Sequence, residues 1–315
     1  MPARVGIVVR TRHRPEFLRT ALGDIAAQTL AERRVVVVND GGDAADVDRI
    51  VTESSLTHVE VVHIADGEGG RCVAANAGVR ALDTDHVVLH DDDRWHPDFL
   101  SRTVAWLDAH PGDAAVAVPT EIVYEEDRDG AWVEVGRAPF WAGMQRVSLT
   151  EMLSVNRMVP IAVLYRRAVH AEVGWYDETL DAVEDWDLYL RILRVHGIGF
   201  LPGEPLAFWT QRPDAVGRDA NSMFGLAAEH ARDDAVVRDR ALAEWVRREG
   251  AGLPLLIAAS QTELAAHVDR SIVDAVERIV ERLRSDIRDD VRREIDAHQP
   301  VMSRVRRLRR RFAGR

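Results

Sequence analysis

Through the first third of the chain, short apolar runs alternate with longer stretches whose apolar residues recur every three or four positions. VGIVV (5–9), VVVV (35–38), VEVVHI (59–64), HVVLH (86–90) and AAVAV (114–118) are brief and rich in valine, so each reads as a strand. Between them PEFLRTALGDIAAQ (15–28), a polar stretch from Ala44, VAANAGVRAL (73–82) and PDFLSRTVAWLDAH (97–110) read as helices. Pro15 and Pro97 open two of these helices at a position where the missing amide costs nothing. Strands that alternate with helices require right-handed crossovers, which predicts an α/β fold with a mixed, mostly parallel sheet and helices on both faces. Ligands of such sheets bind beyond the carboxyl ends of the strands. Two of those ends carry acids: Asp40 after VVVV, and Asp91, Asp92 and Asp93 after HVVLH.

Beyond Thr120 the pattern loosens. EIVYEEDRDGAWVEVG reads as a hairpin turning at Asp129-Gly130, VEDWDLYLRILRVHG (183–197) as a helix with an acidic first turn that stops at Gly197, and Gln211 to Ser222 as a mobile loop. Two helical stretches follow, roughly 224–249 and 262–297. The second carries Val268, Ile272, Val276, Ile279, Leu283, Ile287, Val291 and Ile295 in one stripe, looser than a strict heptad. The chain thus divides at 223/224 into an α/β domain and a C-terminal α-helical region that packs or homo-oligomerises.

Composition narrows the function. A formal net charge of -11 argues against nucleic acid as a partner, since its binders carry a basic face. All 41 basic residues are arginine, and seven lie between Val301 and Arg315, where Val301, Val305, Leu308 and Phe312 recur at helical spacing. That segment reads either as a peripheral contact with an anionic membrane face or as a solvated basic end. A single cysteine, Cys72, excludes an intramolecular disulfide and fits a reducing compartment. With a strand starting at Val5 and no apolar window near ~20 residues, the expected location is cytoplasmic.

Three consecutive carboxylates at a strand end repel one another and resist desolvation, so the pattern calls for a cation among them. A hard divalent ion that shares one or two carboxylates with a diphosphate is one answer. A capping turn for the following helix is another, and Asp93 suits it. Glu184, Asp185 and Asp187 are either helix-stabilising first-turn acids or the setting of a general base. His86, His90 and His96 do not have the spacing of a zinc site, and GEGGRC (67–72) lacks the G-x-G-x-x-G fingerprint.

Five blocks, VGIVVRTRHRPEFLRTALGDIAAQTL, VVVVNDGG, GGRCVAANAG, LHDDDRWHPDFL and VEDWDLYLRIL, occur in an order that resembles the family 2 glycosyltransferases with the GT-A fold, over about residues 4–210. The resemblance implies an inverting transfer from a nucleotide diphosphate sugar, usually UDP-linked, with Mn2+ or Mg2+. By the same resemblance, Thr11 and Arg14 would line the nucleotide pocket, Asp40 would bind the base, and Arg71 and Asn76 would lie near ribose or phosphates. Ala75 stands where the family usually has arginine, and His90 where many members have another aspartate. Asp91 would meet the ribose with Asp92 on the metal, or Asp91 and Asp93 would flank it; Asp92 is favoured as first ligand, with Asp93 retained. Asp185 matches the catalytic base, Glu184 an acceptor-binding or supporting group, and Trp186 a desolvating neighbour. The helix dipole is expected to keep Asp185 ionised at neutral pH, by roughly 0.3–1 kcal/mol. Trp209 is a stacking candidate, and Arg212 and Arg218 either close over the diphosphate or remain solvated. A sugar nucleotidyltransferase ranks lower because RTRHRP has neither the glycine nor the lysine of its nucleotide loop, and a non-catalytic nucleotide-sugar-binding scaffold is the remaining alternative. The acceptor stays open among glycan, lipid-linked, peptide and small-molecule classes.

Overall fold

In the computed structural model, which describes residues 3–298, the first half alternates as the apolar pattern requires. The order is β1 (Val5–Thr11), α1 (Pro15–Ala26), β2 (Arg33–Asp40), α2 (Ala44–Glu53), β3 (Val59–Ile64), α3 (Arg71–Ala81) and β4 (His86–His90). A two-residue β5 (Arg94–Trp95), α4 (Phe99–Ala109) and β6 (Asp113–Ala117) follow. Pro15 opens α1, whose Leu18, Ala21, Leu22 and Ile25 form its buried face. Pro97 corrects the expectation: α4 begins at Phe99, and the Pro97 carbonyl instead accepts the Thr29 amide at 2.9 Å.

With β9 (Val163–Arg166) and β10 (Gly197–Phe200) from further along the chain, the main sheet has the order β10-β6-β9-β4-β1-β2-β3. Alternation along its strands feeds two cores: Val8, Val36 and Val38 pack on one face, while Ile7, Val9, Val35 and Val37 pack on the other. The sheet is mixed because β9 (Val163–Arg166) runs antiparallel between β4 and β6. This strand was hidden in the sequence: it is four residues long and follows a turn, not a crossover helix.

A second sheet, β5-β11-β7-β8, stands beside the first. The predicted hairpin forms its outer pair, β7 (Thr120–Arg128) and β8 (Ala131–Phe140), joined at Asp129-Gly130, and β11 (Ala207–Gln211) closes it against β5. Between lie α5 (Leu149–Ser154), α6 (Val169–Val173), α7 (Glu184–Leu193) and β10 (Gly197–Phe200). The segment read as a mobile loop holds the last residue of β11 and a 3-10 turn (Gly217–Asp219), and ends at the first residue of the short α8 (Ser222–Gly225).

Two compact units result, Met1–Asp239 and Arg240–Arg315. The division falls later in the chain than the change in composition, because the first half of α9 (Ala227–Glu249) buries Asp233 and Val237 in the first unit. In the second unit α10 (Gly252–His298) is one 47-residue helix, and its apolar stripe from Val268 to Ile295 is exposed along its length. The basic segment 301–315 lies outside the described residues. Among those described, no helix is long and apolar enough to cross a membrane.

Candidate active site

The carboxyl ends of β1, β2 and β4 meet the start of α7. The residue that joins them is Arg10, which follows the apolar run of β1 and is almost entirely buried. Its Nε and Nη2 grip both oxygens of Asp91 at 3.0 and 2.5 Å, while Nη1 donates to Glu184 Oε1 at 3.0 Å and to the Arg71 carbonyl at 3.2 Å. Arg71 Nη1 reaches the other Glu184 oxygen at 3.5 Å. The preceding amide, of Gly70, donates to Asp40 Oδ1 at 3.1 Å. A Cβ at Gly69 would stand 1.5 Å from that same oxygen, so this close approach of loop to carboxylate requires glycine. Arg71, Glu184, Arg10 and Asp91 therefore form one hydrogen-bonded chain across the sheet end, and Asp40 joins it through the Gly70 amide that precedes Arg71.

Asp92 lies beside this chain in a second set of arginines. Its Oδ2 accepts Arg14 Nη1 at 3.3 Å and Arg212 Nη2 at 3.0 Å. Arg212 is neither solvated nor on a mobile tip, as the sequence had suggested: it is 1% exposed, stacks over Phe17 at 4.1 Å, and is held by Glu125 at 3.2 Å and the Asp219 carbonyl at 3.1 Å. The buried Glu125 also binds Arg94. The cations among the triplet are thus, in the first instance, guanidinium groups. Asp93 turns away from them, its Oδ1 accepting the Thr210 amide at 2.8 Å and hydroxyl at 3.1 Å.

Burial and neighbours separate the acids. Burial works to raise Asp91, but the Arg10 pair outweighs it and holds Asp91 below the usual carboxylate range. Asp93 is raised well above that range by burial and by the charges of Asp92 and Asp91. Glu184 repeats the first pattern: burial is overcome by Arg71 and Arg10, and its carboxyl is lowered. Asp185 repeats the second, pushed up to about 7 by burial and by the charge of Glu184, against hydrogen bonds from Asn156 Nδ2 at 2.8 Å and from the Trp186 backbone amide. The helix dipole, expected to keep Asp185 ionised, loses to these two effects.

Could the site hold a divalent ion? Both oxygens of Asp91 are taken by Arg10, and Asp93 is turned toward Thr210. Asp92 keeps Oδ1 without a hydrogen-bond partner among the described residues, at a turn beyond the strand end. No cluster of three or more His, Cys, Asp or Glu side chains able to hold a metal is present among the described residues. One carboxylate suits an ion that completes its shell on a bound diphosphate, so the donor set fits a metal held through Asp92.

Other expected residues fall elsewhere. Thr11 is buried at the end of β1, opposite Asn39. Asn76 is buried under α3, where its amide donates to the Tyr176 carbonyl and to Glu178 and its oxygen accepts the Tyr176 amide; this fully used side chain is a clamp on 176–178 and faces no open site. Trp186 points into the core, donating to the Met152 carbonyl at 2.6 Å. Trp209 is half-buried edge-on to Phe140. Arg218 belongs to the 3-10 turn, and its side chain lies outside the described residues. Sequence reading overlooked Arg10, Asn156, Glu125 and Thr210. Arg10 had a signal, a charge directly after a buried strand; Asn156 had none, sitting in an irregular connection. A cavity of about 590 Å3 is lined in part by Phe140, Trp141, Arg157, Met158 and Phe200, and none of Asp40, Asp91, Asp92, Asp93, Glu184 and Asp185 lies in its wall.

Known proteins resemble this chain in sequence and in fold. An uncharacterized glycosyltransferase, YwdF, of Bacillus subtilis (strain 168) is 28% identical over 204 residues, 63% of this chain and 71% of that protein. A pre-mycofactocin glycosyltransferase of Mycobacterium tuberculosis (strain ATCC 25618 / H37Rv) is 27% identical over 77% of this chain, which spans only 52% of its length. Among solved structures, Staphylococcus aureus TarS 1-349 in complex with UDP-GlcNAc superposes with a TM-score of 0.57 at 19% identity, covering 74% of this chain and 66% of that one. Mannosyltransferase PcManGT from Pyrobaculum calidifontis, in complex with GDP-Man and Mn2+, gives 0.50 at 17% identity, covering 83% and 80%. These likenesses establish a GT-A type of fold. The family model described as glycosyltransferase like family 2 matches residues 2–225, and the chain belongs to that family.

Proposed function

We propose that the protein is an inverting glycosyltransferase that moves a sugar from a nucleotide diphosphate donor, UDP-linked, to an acceptor hydroxyl, with Asp185 as general base. The observation that carries this reading is the unbroken chain Asp40–Gly70–Arg71–Glu184–Arg10–Asp91, with Asp92 and Asp185 at its flanks. Asp40 and the Arg14 side lie where a nucleotide enters beyond the strand ends. Asp92 would hold Mn2+ or Mg2+, which when bound stabilises negative charge on the departing diphosphate. Arg14 and Arg212 add fixed positive charge at the same carboxylate.

On the opposite side, Asp185 accepts the proton of the acceptor hydroxyl as its oxygen attacks the anomeric carbon. The bond to the diphosphate oxygen breaks, and the configuration inverts. A base near pH 7 combines an ionised fraction with real proton affinity, which a carboxylate at its ordinary pKa lacks. Glu184 supplies this tuning: Arg10 and Arg71 keep it charged, and its charge keeps Asp185 basic. Asn156 aims the carboxylate, and the acceptor is proposed to approach from the cavity that begins at Arg157.

The test combines calorimetry with UDP and Mn2+ and a screen of nucleotide sugars by mass-detected nucleotide release. Micromolar UDP binding and release from one sugar class are expected. No UDP binding together with no turnover of any common nucleotide sugar would refute the reading.

A further inference from the structure

The family match ends at residue 225, yet α9, which begins at Ala227, grips the candidate base from two directions. The first grip is Asp233. Although acidic, it is 2% exposed, and its Oδ2 accepts the backbone amides of Asp181 at 2.7 Å and Ala182 at 2.9 Å. Arg232 ties the same corner together, donating to Asp233 at 2.7 Å and to the Asp181 side chain at 2.6 Å. The next residue, Val183, has a left-handed backbone with φ 55°, a strained state for a β-branched residue that persists only when its surroundings fix it. Glu184 and Asp185 follow at once.

The second grip is Arg238, one turn along the same helix. It donates to the carbonyls of Leu153 at 2.7 Å and Ser154 at 3.0 Å, and lies 4.8 Å over the ring of Trp186. Asp234 holds the guanidinium in place at 2.8 and 3.0 Å. Leu153 and Ser154 end α5, and two residues later Asn156 makes the hydrogen bond to Asp185. Between the grips, Val237 is buried in the core.

We infer that α9 is part of the catalytic apparatus, with Asp233 and Arg238 as positioning residues that fix the carboxylate of Asp185 and its partner Asn156. This rests on the proposed role of Asp185. Neither residue hydrogen-bonds Asp185 among the described residues, so the influence passes through Val183 and through the end of α5. The groups that face Asp185 directly are Glu184, Asn156, Arg71 and Tyr189; from α9 itself His230 lies close enough to Arg71 and Glu184 to feel both charges.

The experiment compares the full chain with Asp233→Ala and Arg238→Gln in three measurements: kcat against pH at saturating donor, UDP affinity, and the carboxylate titration of Asp185 by NMR, assigned by its loss in Asp185→Asn. The expected result is a kcat roughly 10- to 100-fold lower, UDP affinity within about twofold, and the acidic limb of kcat and the Asp185 titration displaced together: to lower pH in Asp233→Ala, where release of the Val183 corner lets water reach the carboxylate, and to higher pH in Arg238→Gln, where Asn156 loses its hold on Asp185. Should kcat be unchanged, or should kcat and UDP affinity fall together with the titration unmoved, the inference is overturned. If Asp233→Ala does not fold, Arg238→Gln carries the test. If the wild-type chain has no turnover, the glycosyl-transfer reading fails, while the Asp185 titration still decides whether α9 sets the environment of that carboxylate.

Discussion

The tip of β4 and the start of α7 present the same local sequence problem, adjacent acids in a buried place, and resolve it in parallel. In each, arginine selects one acid to remain charged: Arg10 takes Asp91, and Arg10 with Arg71 takes Glu184. One neighbouring acid in each is forced upward, Asp93 at β4 and Asp185 at α7, while Asp92 has arginines of its own. The two raised acids then differ in their company. Asp93 is held by the amide and hydroxyl of Thr210 inside the second sheet, whereas Asp185 is held by the side chain of Asn156 and the backbone amide of Trp186 at the start of α7. A raised carboxyl is therefore no sign of chemistry by itself: each of the two meets one amide and one side-chain donor, and what separates them is the element that holds them and the acceptor proposed for Asp185.

The strongest test of this contrast is Asp185→Asn against Asp93→Asn. The first is expected to lower transfer roughly 10³-fold while UDP affinity by calorimetry stays within about twofold, because its side chain is proposed to meet the acceptor and not the nucleotide. Asp93→Asn keeps the Thr210 contacts and should retain most of the activity. Equal losses in the two variants would erase the distinction. Next in size is Arg10→Met, which strips the shared partner from both clusters at once. Leaving Asp91 without its partner and the buried Glu184 with Arg71 alone should cost about 3 kcal/mol, read as a lower urea midpoint at pH 7. A midpoint unchanged from the wild type would mean that the acids of the two clusters do not depend on Arg10.

Much of this was legible in the sequence because it depends on period and order. The apolar runs gave β1 to β4 and β6, and the ordered blocks located the acids at Asp40, 91–93 and 184–185. What escaped was pairing across distance. That Arg10 would bridge residues 91 and 184 depends on β1 lying beside β4, and that Arg212 would be buried depends on β11 joining a second sheet. β9 escaped because a four-residue strand carries too little pattern to stand out. The acidity of Asp185 went the other way from expectation because the helix dipole is visible in sequence, whereas desolvation and the fixed charge of Glu184 are not.

A smaller effect concerns stability and pH. Asp185 has a folded pKa near 7, above the ordinary carboxyl value near 3.8. Folding thus favours its protonated form, so its contribution to stability is full below about pH 4 and is lost as pH rises through 7. Asp185→Asn removes the titration. Its stability relative to the wild type should rise by about 2 kcal/mol between pH 5 and pH 8, measured as the difference of paired urea unfolding curves. A difference that stays flat or reverses would show that Asp185 is already ionised at pH 5, and the proposed tuning by Glu184 would fail with it.

The finest comparison removes one donor from each raised acid. Asn156→Ala deletes the hydrogen bond that holds the pKa of Asp185 down, so the acidic limb of kcat should move upward by about half a unit to one unit. Thr210→Val deletes a hydroxyl that serves Asp93, the Asp92 carbonyl and Arg212. That change should cost about 1 kcal/mol of stability and leave the pH profile where it was. The two lesions are chemically alike, and they should register in different measurements because one raised carboxyl is proposed to meet the acceptor and the other is held by the second sheet. A pH profile shifted by Thr210→Val would place Asp93 in the reaction after all, and a profile unmoved by Asn156→Ala would take Asp185 out of it.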